Sequence, residues 1–568
     1  MAYAAILLLC LWPATGFAQT APFDQHAIER QQDQIQRLQQ QRLDERERER
    51  WQSEQPPAAL PQTPEPASGQ GGHCFRLHAV VFEGAGLLSE SDRDHLAAPY
   101  VGRCVGIDDV NALIHAVTDL YGARGYVTTR AFLPQQTVGG GTLTIQVVEG
   151  HIQGFQWNGE KADDRSEVAT AFPAEPGDVL DLRDLEQGLD QLNRLRSNDA
   201  HMQLVPGDRP GDSLVAIDNK AAKIWRVTAG ADNSGQRATG ELQVKESAEI
   251  EDVFGLNDSF GVFHNQDHLD NSSQRASRSW ALNSSIPYGY WRLNGDLNYF
   301  QYRSLIYGQN QIFQGWGDQR AASLGIDRLL YRDGDGKTFA SLSLTYKSVD
   351  NSLAGVTIDS SSPKLAYARL GLDDVRHLAD GVLHSDVQYT GGLHLWGARD
   401  DEAWPGAPKA QYTLWTGDLS YGHPLGAFGL DMTWTTTAHG QWTTDSLYAT
   451  EQISLGSEDT VRGYKEQILL GNRGGSLRNE LSLALPSGIG SVDDALGVFH
   501  PFIGYDAGVV SHFHPETVTP GRLTGAAFGV RLSGPWVEGE LTYAWPLSHP
   551  AVIQTPPHEL TFSLVLVL

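Results

Sequence analysis

The sequence predicts an N-terminal helix, two α+β modules of similar size and a C-terminal transmembrane antiparallel β-barrel of about 16 strands. Three observations predict this architecture: a polar, helix-forming run near the N-terminus, a strand–helix–helix–strand–strand pattern that occurs twice, and a long C-terminal part in which apolar and polar residues alternate. Alternation with a period of two identifies strands, because successive strand side chains point to opposite faces. The 60 Gly and only 3 Met among 568 residues also suit a chain with many strands and turns.

Residues 1–18 predict a secretory signal peptide. The run AAILLLCLW is apolar but short, Pro13 interrupts it, and Gly16-Phe17-Ala18 resembles a cleavage site after Ala18. The alternative is a membrane anchor, which is disfavoured because a spanning helix needs about 20 apolar residues. No Lys or Arg precedes the run, so this pattern does not identify the true start codon. We expect the protein to be exported.

Residues 19–51 predict a helix, and residues 52–72 predict a linker. The stretch from Asp24 to Trp51 contains no Gly or Pro and few apolar residues, so a helix here is polar on nearly all sides. At 1.5 Å per residue its length is about 40 Å, comparable to the thickness of a membrane. The linker is rich in Pro and Gly and has no periodicity.

Residues 73–149 and 150–224 are predicted to form the two modules. In the first, CFRLHAVVFEG, YVTTRAFLPQQ and GTLTIQVVEG predict strands, while SESDRDHLAAPYV, capped by Ser89, and IDDVNALIHAVTDLYGARG predict helices. The second has helices within DRSEVATAF and LRDLEQGLDQLNRLRS. A small sheet of this kind has edge strands to which an extended peptide can add. The candidate edges are Tyr126–Gln136 and Met202–Val205.

The cysteines predict one disulfide. Cys10 leaves with the signal peptide, so Cys74 and Cys104 remain as a single pair in an exported protein. Disulfides form and persist in oxidising compartments. The alternative is that the pair is half of a metal site, but no CxxC motif or cluster of His completes such a site. We therefore predict a Cys74–Cys104 disulfide and no metal.

Residues 225–568 predict the barrel. Segments such as FASLSLTYKSV and LTGAAFGVRLSG alternate, as membrane barrel strands do. In the last segment, HELTFSLVLVL, one face carries Phe562, Leu564, Leu566 and Leu568, although such chains commonly end in an aromatic residue. At about 20 residues per strand with its turn, about 16 strands fit, and only closure pairs every backbone group in lipid. The alternative, a soluble β-sandwich of this length, would be unusual.

The sequence shows no sign of an enzyme, a cofactor site or a nucleic-acid partner. A net charge of −27 disfavours a phosphate-binding surface. Neither HExxH nor GxSxG occurs. The stretch GDGKT at 334–338 approaches a phosphate loop, but Tyr331 stands where that loop needs its first glycine. We interpret it as a hairpin turn between two strands.

The runs YGARGYVTTRAFLPQQ…GGGTLTIQVVEG and LRDLEQGLDQLNRLRSNDAHMQLVPGDRPGDS resemble the paired POTRA domains of two-partner secretion transporters. These TpsB proteins, of the haemolysin secretion/activation family, export haemolysin- and adhesin-like exoproteins across the outer membrane of Gram-negative bacteria. The resemblance implies periplasmic POTRA domains, an outer-membrane barrel surrounded by lipid and a secreted exoprotein client of haemolysin, adhesin or contact-dependent toxin type. It further implies a monomer without cofactors, whose polar helix threads the lumen as a plug. The alternative for the helix is a periplasmic or coiled-coil segment.

A glycine-punctuated loop carries the motif residues of this family. The residues that match are Val461, Arg462, Gly463 and Tyr464 in VRGY, and Gly504, Tyr505 and Asp506 in GYD. The resemblance implies that the loop folds back into the lumen and that GYD lies on an inward-facing strand. A buried guanidinium needs a partner, so we predict that Arg462 pairs with Asp506, that Gly463 permits a tight turn and that Tyr464 packs on the wall. The alternative is a surface loop with a solvated arginine.

Three classes of function fit these features. A protein-secretion translocator fits best, because it accounts for the two modules, the loop motif and the barrel together. An assembly factor that inserts other barrels has the same parts but usually more modules. A passive porin needs neither the modules nor the helix and linker. The sequence names neither the client nor the resting position of the helix.

Overall fold

The computed structural model describes residues 74–568 except 268–273, 308–310, 428, 487, 489, 491–495 and 512–520. The predicted signal peptide, N-terminal helix and linker lie outside the described residues. Within the described part, no helix combines the length and the apolar character needed to cross a membrane. Two α+β modules are followed by one closed barrel.

The first module is a three-stranded sheet with two helices and a small two-stranded ribbon. Its elements are β1 (Phe75–Arg76), β2 (Ala79–Glu83), α1 (Glu90–Ala97), β3 (Cys104–Val105), α2 (Ile107–Ala123), β4 (Arg130–Phe132) and β5 (Thr142–Val148). The sheet order is β2–β5–β4, with β2 parallel and β4 antiparallel to β5, and β1 pairs with β3.

Local sequence explains both helices of this module. Ser89 accepts a hydrogen bond from the Asp92 backbone N–H at 3.1 Å, and the Asp92 carboxylate accepts one from the Ser89 N–H at 3.0 Å, a capping box that starts α1. Helix α2 buries Val110, Leu113 and Val117, which lie three and four residues apart and so share one face. That face packs in the module core with the apolar residues of β5.

The strand predicted at Tyr126–Gln136 is much shorter in the structure, where β4 spans only Arg130–Phe132. A turn precedes it, closed by the Thr129 N–H donating to the Tyr126 carbonyl at 3.1 Å. Pro134 lacks an N–H and cannot donate to a ladder soon after β4. The β-branched run therefore gives a short edge strand and two flanking loops.

The second module has a four-stranded sheet. Its elements are β6 (His151–Trp157), β7 (Glu160–Lys161), α3 (Ser166–Ala171), α4 (Leu182–Asn193), β8 (Ala200–Pro206) and β9 (Asp212–Asn219). The order is β7–β6–β9–β8, so the seven-residue strand β8 lies at an edge. The cap Asp181 accepts from the Arg183 N–H at 2.9 Å and starts α4, which buries Leu185 and Leu192.

A closed antiparallel barrel of 16 strands follows. Its strands are β10 (Trp225–Asp232), β11 (Gln243–Glu251), β12 (Ser259–Asp267), β13 (Ala276–Tyr288), β14 (Trp291–Tyr307), β15 (Ile312–Arg332), β16 (Gly336–Leu353) with its two-residue extension β17 (Val356–Thr357), β18 (Lys364–Leu378), β19 (Gly381–Gly392), β20 (Thr413–Ala427) and β21 (Leu430–Trp442). Beyond the short strands β22 (Ile453–Leu455) and β23 (Leu469–Gly471), the barrel continues with β24 (Arg473–Leu483), β25 (Val498–Ser511), β26 (Gly521–Ser533), β27 (Val537–Ser548) and β28 (Glu559–Val567). Strands β10 and β28 pair from Thr228↔Val567 to Asp232↔Ser563 and close the barrel.

The predicted alternation is confirmed in the barrel wall. Phe562, Leu564 and Leu566 of β28 are 39–49% exposed on the outer face. The predicted hairpin at 334–338 is also confirmed, because β15 and β16 pair on either side of it. Strand β10 directly follows the second module, so turns such as 333–335 lie at the module end and loops such as 393–412 at the far end.

The second module packs against turns at the module end. The side-chain amides of Gln187 and Gln191 donate to the Gly289 carbonyl at 3.2 and 3.1 Å. On the barrel side of the contact, Arg332 Nη1 donates to Asp190 Oδ2 at 2.7 Å. Helix α4 therefore docks directly on the β13–β14 and β15–β16 turns.

Asp184 on α4 also lies at this contact. Its carboxylate accepts a hydrogen bond from the Tyr290 hydroxyl. Burial, followed by the charges of Asp181 and Asp178, raises the pKa of Asp184 to about 6. The contact between module and barrel thus contains a carboxyl group that keeps its proton to a higher pH than an ordinary aspartate does.

Candidate pore-loop site in the barrel lumen

Residues 443–472 join β21 to β24 at the far end and fold back into the barrel. Strands β22 and β23 pair within this loop from Ile453↔Gly471 to Leu455↔Leu469. VRGY lies in the turn region between these two strands. The loop is therefore a small hairpin of its own, and its tip carries the motif.

An apolar cluster holds the hairpin against the wall. Loop residues Ile453, Leu455 and Val461 are fully buried and pack with Val510 and Leu523 of the wall. Val510 shares the inward face of β25 with Asp506, whereas Ile503, Tyr505 and Val509 are 50–62% exposed on the other face. The hairpin thus contacts the lumen side of the barrel.

Arg462 is bound to Asp506 by three hydrogen bonds. Its Nε lies 2.7 Å from Asp506 Oδ2 and its Nη2 lies 2.8 Å from Oδ1, and its backbone N–H donates to Oδ2 at 3.1 Å. Only 3% of Arg462 and none of Asp506 is exposed. The two parallel bonds fix the orientation of the guanidinium as well as its position.

The glycines of the two motifs allow the close approach. Gly463 has φ +97°, and a Cβ there would lie 2.9 Å from the Pro546 nitrogen. A Cβ on Gly504 would lie 2.1 Å from Nη2 of Arg462, so only glycine leaves room for the guanidinium. Tyr505 is half exposed on the outer face and does not contribute to this contact.

Tyr464 packs on the wall beside the tip. It is 1% exposed, and its hydroxyl lies 2.8 and 2.9 Å from the carbonyl oxygens of Thr524 and Ser548. These two carbonyls belong to β26 and β27. The tyrosine therefore fixes the tip to two strands beyond the one that carries Asp506.

Further charged residues surround the Arg462–Asp506 pair. Glu480 on β24 accepts from Arg462 Nη1 at 3.1 Å and from Arg531 Nη2 at 3.0 Å. Arg478 Nε lies 3.9 Å from Asp506. Basic and acidic groups thus alternate, and the guanidinium of Arg462 is shared between two carboxylates.

The base of the loop has a separate anchor. Lys347 of β16 binds Glu451 at 3.1 Å, and only 7% and 8% of these side chains are exposed. The Tyr412 hydroxyl donates to the other oxygen of Glu451 at 2.9 Å. This anchor is built from β16 and the segment before β20, whereas the tip is anchored on β24–β27.

A third anchor lies where the barrel closes. The Lys465 backbone N–H donates to Glu559 of β28 at 3.2 Å. The Lys465 ammonium group donates to the Asn233 carbonyl, which directly follows β10, and lies 3.3 Å from Glu241. The loop therefore contacts β28 and the connection between β10 and β11, beside the closing pair.

Sequence reasoning missed Glu480, Arg478 and the Lys347–Glu451 anchor. One signal was available for the first two: charged residues that alternate with apolar ones in RNELSL must face the lumen of a membrane barrel. That signal predicts which face of β24 these side chains occupy, but not which residue each of them pairs with. For Lys347 and Glu451, 104 residues apart, no local pattern exists.

The predicted cysteine pair lies far from the loop. Cys74 and Cys104 are joined by a disulfide with a Cα–Cα distance of 5.4 Å, beside the β1–β3 ribbon. In the described part of the chain, no group of three or more His, Cys, Asp or Glu side chains is arranged to hold a metal.

Three protein families match successive parts of the chain. A POTRA domain of ShlB type matches residues 75–150, and a second POTRA domain matches 151–206. The haemolysin secretion/activation protein ShlB/FhaC/HecB family matches 211–532.

Curated relatives span nearly the whole chain. The outer membrane transporter CdiB of Escherichia coli O6:K15:H31 (strain 536 / UPEC) is 35% identical over 537 residues, covering 94% of this chain and 88% of the relative. The hemolysin transporter protein ShlB of Serratia marcescens is 29% identical over 523 residues, covering 90% of this chain and 89% of the relative.

Solved structures agree with the fold. CdiB from Escherichia coli superposes with a TM-score of 0.86 at 33% identity, covering 95% of this chain and 98% of that chain. CdiB from Acinetobacter baumannii gives a TM-score of 0.78 at 21% identity, covering 96% and 100%, and shows the shared fold.

Two POTRA domains and a closed barrel with a loop in its lumen define a POTRA-barrel transporter of the outer membrane. The chain belongs to the haemolysin secretion/activation (ShlB/FhaC/HecB) family of two-partner secretion transporters. The barrel therefore lies in the outer membrane, with the module end in the periplasm and the far end outside the cell. The predicted secretion function is confirmed, and its client is an exoprotein.

Proposed function

We propose that the POTRA domains capture the unfolded exoprotein and that loop 443–472 closes the lumen until the client displaces it. The observation that carries this proposal is the burial of Arg462 against Asp506 and Glu480 inside a closed barrel. A buried, hydrogen-bonded ion pair holds one arrangement firmly but can exchange for another that satisfies the same charges. The residues of the two motifs other than Tyr505 are thus the proposed lock of the pore.

Strand β8 is the proposed capture edge. It is seven residues long and pairs on one side with β9, whereas β4, the other candidate edge, has three residues. Backbone hydrogen bonds to such an edge bind an extended chain with little demand on its sequence. This mode suits a client that reaches the periplasm unfolded, of haemolysin, adhesin or contact-dependent toxin type.

The remaining partner proposals follow from the barrel wall. The exposed leucines and aromatic residues of the outer face suit contact with outer-membrane lipid. Among the described strands, β10 and β28 pair with each other and leave no long barrel edge unpaired, which favours a monomer. We assign no catalytic step, cofactor or nucleic acid to this transport.

Deletion of the chain in its host tests the transport function. The expected result is loss of one large exoprotein from the medium or cell surface, with other outer-membrane barrels at normal levels. A general fall in outer-membrane barrels without a specific lost exoprotein would contradict the proposal and indicate an assembly factor.

Photo-crosslinking tests the capture edge separately. A photoreactive residue replaces Gln203 on β8 or, as the matched control, the exposed Val81 on edge strand β2 of the first POTRA domain. In cells with export stalled, the client should crosslink to β8 more strongly than to β2. Crosslinking to β2 alone would refute the edge assignment while leaving transport intact.

A further inference from the structure

The outer face of β13–β16 has a well-defined apolar band. Along β14 the outward residues run from Trp291 through Leu293 and Leu297 to Tyr299, and these leucines are 46% and 55% exposed. Trp280 on β13 lies in register with Tyr299. Aromatic residues mark both borders of the lipid core in barrels of this kind. The Trp280–Tyr299 row is therefore the border on the extracellular side.

Four basic side chains lie on or just beyond this border. Arg320 is in register with Tyr299, Lys364 is in register with Ser348 of the same row, and Arg278 and Arg303 lie two and four residues further toward the extracellular end. All four basic residues are exposed. We call Arg278, Arg303, Arg320 and Lys364 the rim cluster. From strand spacing it is about 20 Å wide.

Two aspartates, Asp318 and Asp350, lie in register with each other on the same face as the rim cluster, so its four basic groups outnumber these carboxylates by two. Arg320 lies 3.0 Å from Asp318, yet its own side chain remains 67% exposed. Within the described residues, no carboxylate forms an ion pair with Arg278, Arg303 or Lys364. The whole chain carries 69 acidic and 42 basic side chains, so a local excess of positive charge runs against its composition.

An apolar groove lies directly below the cluster. Its volume is about 260 Å³, and Leu282, Leu297, Ala322 and Tyr346 line it together with the stem of Arg320. The groove opens on the lipid side of the wall, because Leu282 and Leu297 are 48% and 55% exposed there. Positive charge above an apolar groove matches a lipid with a phosphorylated head group and acyl chains.

We propose that the rim cluster and this groove bind one phosphorylated lipid of the lipopolysaccharide class from the outer leaflet. The guanidinium groups of Arg278, Arg303 and Arg320 and the ammonium group of Lys364 contact its phosphates. An acyl chain fills the groove between Leu282 and Ala322. Bound lipid ties β13–β18 together on the outside, on the opposite side of the wall from Lys347, which anchors the pore loop.

Lipid titration of the purified full chain tests this site. Native mass spectrometry in detergent measures the binding of a short lipopolysaccharide. The same titration with phosphatidylglycerol tests whether another anionic lipid binds equally well. Each basic group near an anionic lipid surface contributes about fivefold in affinity. The triple variant Arg278→Gln, Arg303→Gln, Lys364→Gln should bind lipopolysaccharide about two orders of magnitude more weakly.

Two single-residue variants provide the matched control. Arg303→Gln removes an outward arginine at the extracellular border, and Arg328→Gln removes one at the periplasmic border, where it lies 4.7 Å from the Trp291 ring. Only Arg303→Gln should weaken binding, by about fivefold. Heat-modifiable migration in gels confirms that each variant is folded. Equal binding by wild type and triple variant, equal weakening by the two single variants, or equal affinity for phosphatidylglycerol would overturn the proposal.

Discussion

Replacement of Arg462 by Ala is the most direct test of the pore-loop site. The variant loses both side-chain hydrogen bonds to Asp506, at 2.7 and 2.8 Å, and leaves a fully buried carboxylate without its main partner. Removing one partner of a buried pair costs about 3–5 kcal/mol. Arg478 lies 3.9 Å from Asp506 and relieves part of this cost, so we use the lower end of that energy range. About 3 kcal/mol raises the fraction of open loop roughly a hundredfold.

Trypsin added to intact cells measures this opening. Lys465 is 7% exposed, so cleavage after it requires the tip to leave the lumen. When opening is fast, the cleavage rate follows the open fraction, and mass spectrometry of the new termini should show about a hundredfold increase. The control is Arg237→Ala, because Arg237 is 70% exposed and its pair with Glu466 is weak. Wild-type protection of Lys465 in the Arg462→Ala variant would refute the lock.

The modules and the loop turn give three further predictions. Reduction of the Cys74–Cys104 disulfide should lower the free energy of unfolding of the first POTRA domain by roughly 3–4 kcal/mol, measured by denaturation with and without reductant; equal midpoints would contradict it. The raised pKa of Asp184, about 6, means that the folded contact binds an extra proton between about pH 4 and 6 and weakens as the pH rises through 6. Hydrogen exchange of the β13–β14 turn, corrected for intrinsic rate, should be slower at pH 5 than at pH 7.5, and Asp184→Asn should abolish the difference. Gly463→Ala, at φ +97° and with its new Cβ 2.9 Å from the Pro546 nitrogen, should raise tryptic cleavage of the loop about tenfold, and an unchanged rate would argue against strain there.

Local patterns predicted the elements whose stability is local. The α1 helix was predicted from its cap, Ser89, and the outward face of β28 from alternation alone. The short β4 strand shows the limit of predicting strand length from local residue preferences. The β-branched residues in YVTTRAF favour a strand, but a turn before it and Pro134 after it restrict the strand to three residues.

The side-chain contacts in the lumen could be predicted only where both residues belong to a motif of the family, as Arg462 and Asp506 do. Alternation places Arg478 and Glu480 on the inner face of β24, but which charge meets which depends on barrel closure and on the path of a 30-residue loop. The Lys347–Glu451 pair joins residues 104 positions apart, and neither stands in a recognisable motif. Long-range pairing of this kind is a property of the assembled barrel, not of any segment.

The three anchors of the loop do not resist release equally. The Lys347–Glu451 anchor is nearly fully buried and holds the base, whereas the Glu241 partner of Lys465 is 46% exposed and its pair is screened by water. Breaking the Arg462–Asp506 pair therefore frees the tip from β25 while the base stays attached to β16. The loop should then swing out as a hairpin about its base, clearing the lumen beside β24–β28 without unfolding the segment near Glu451.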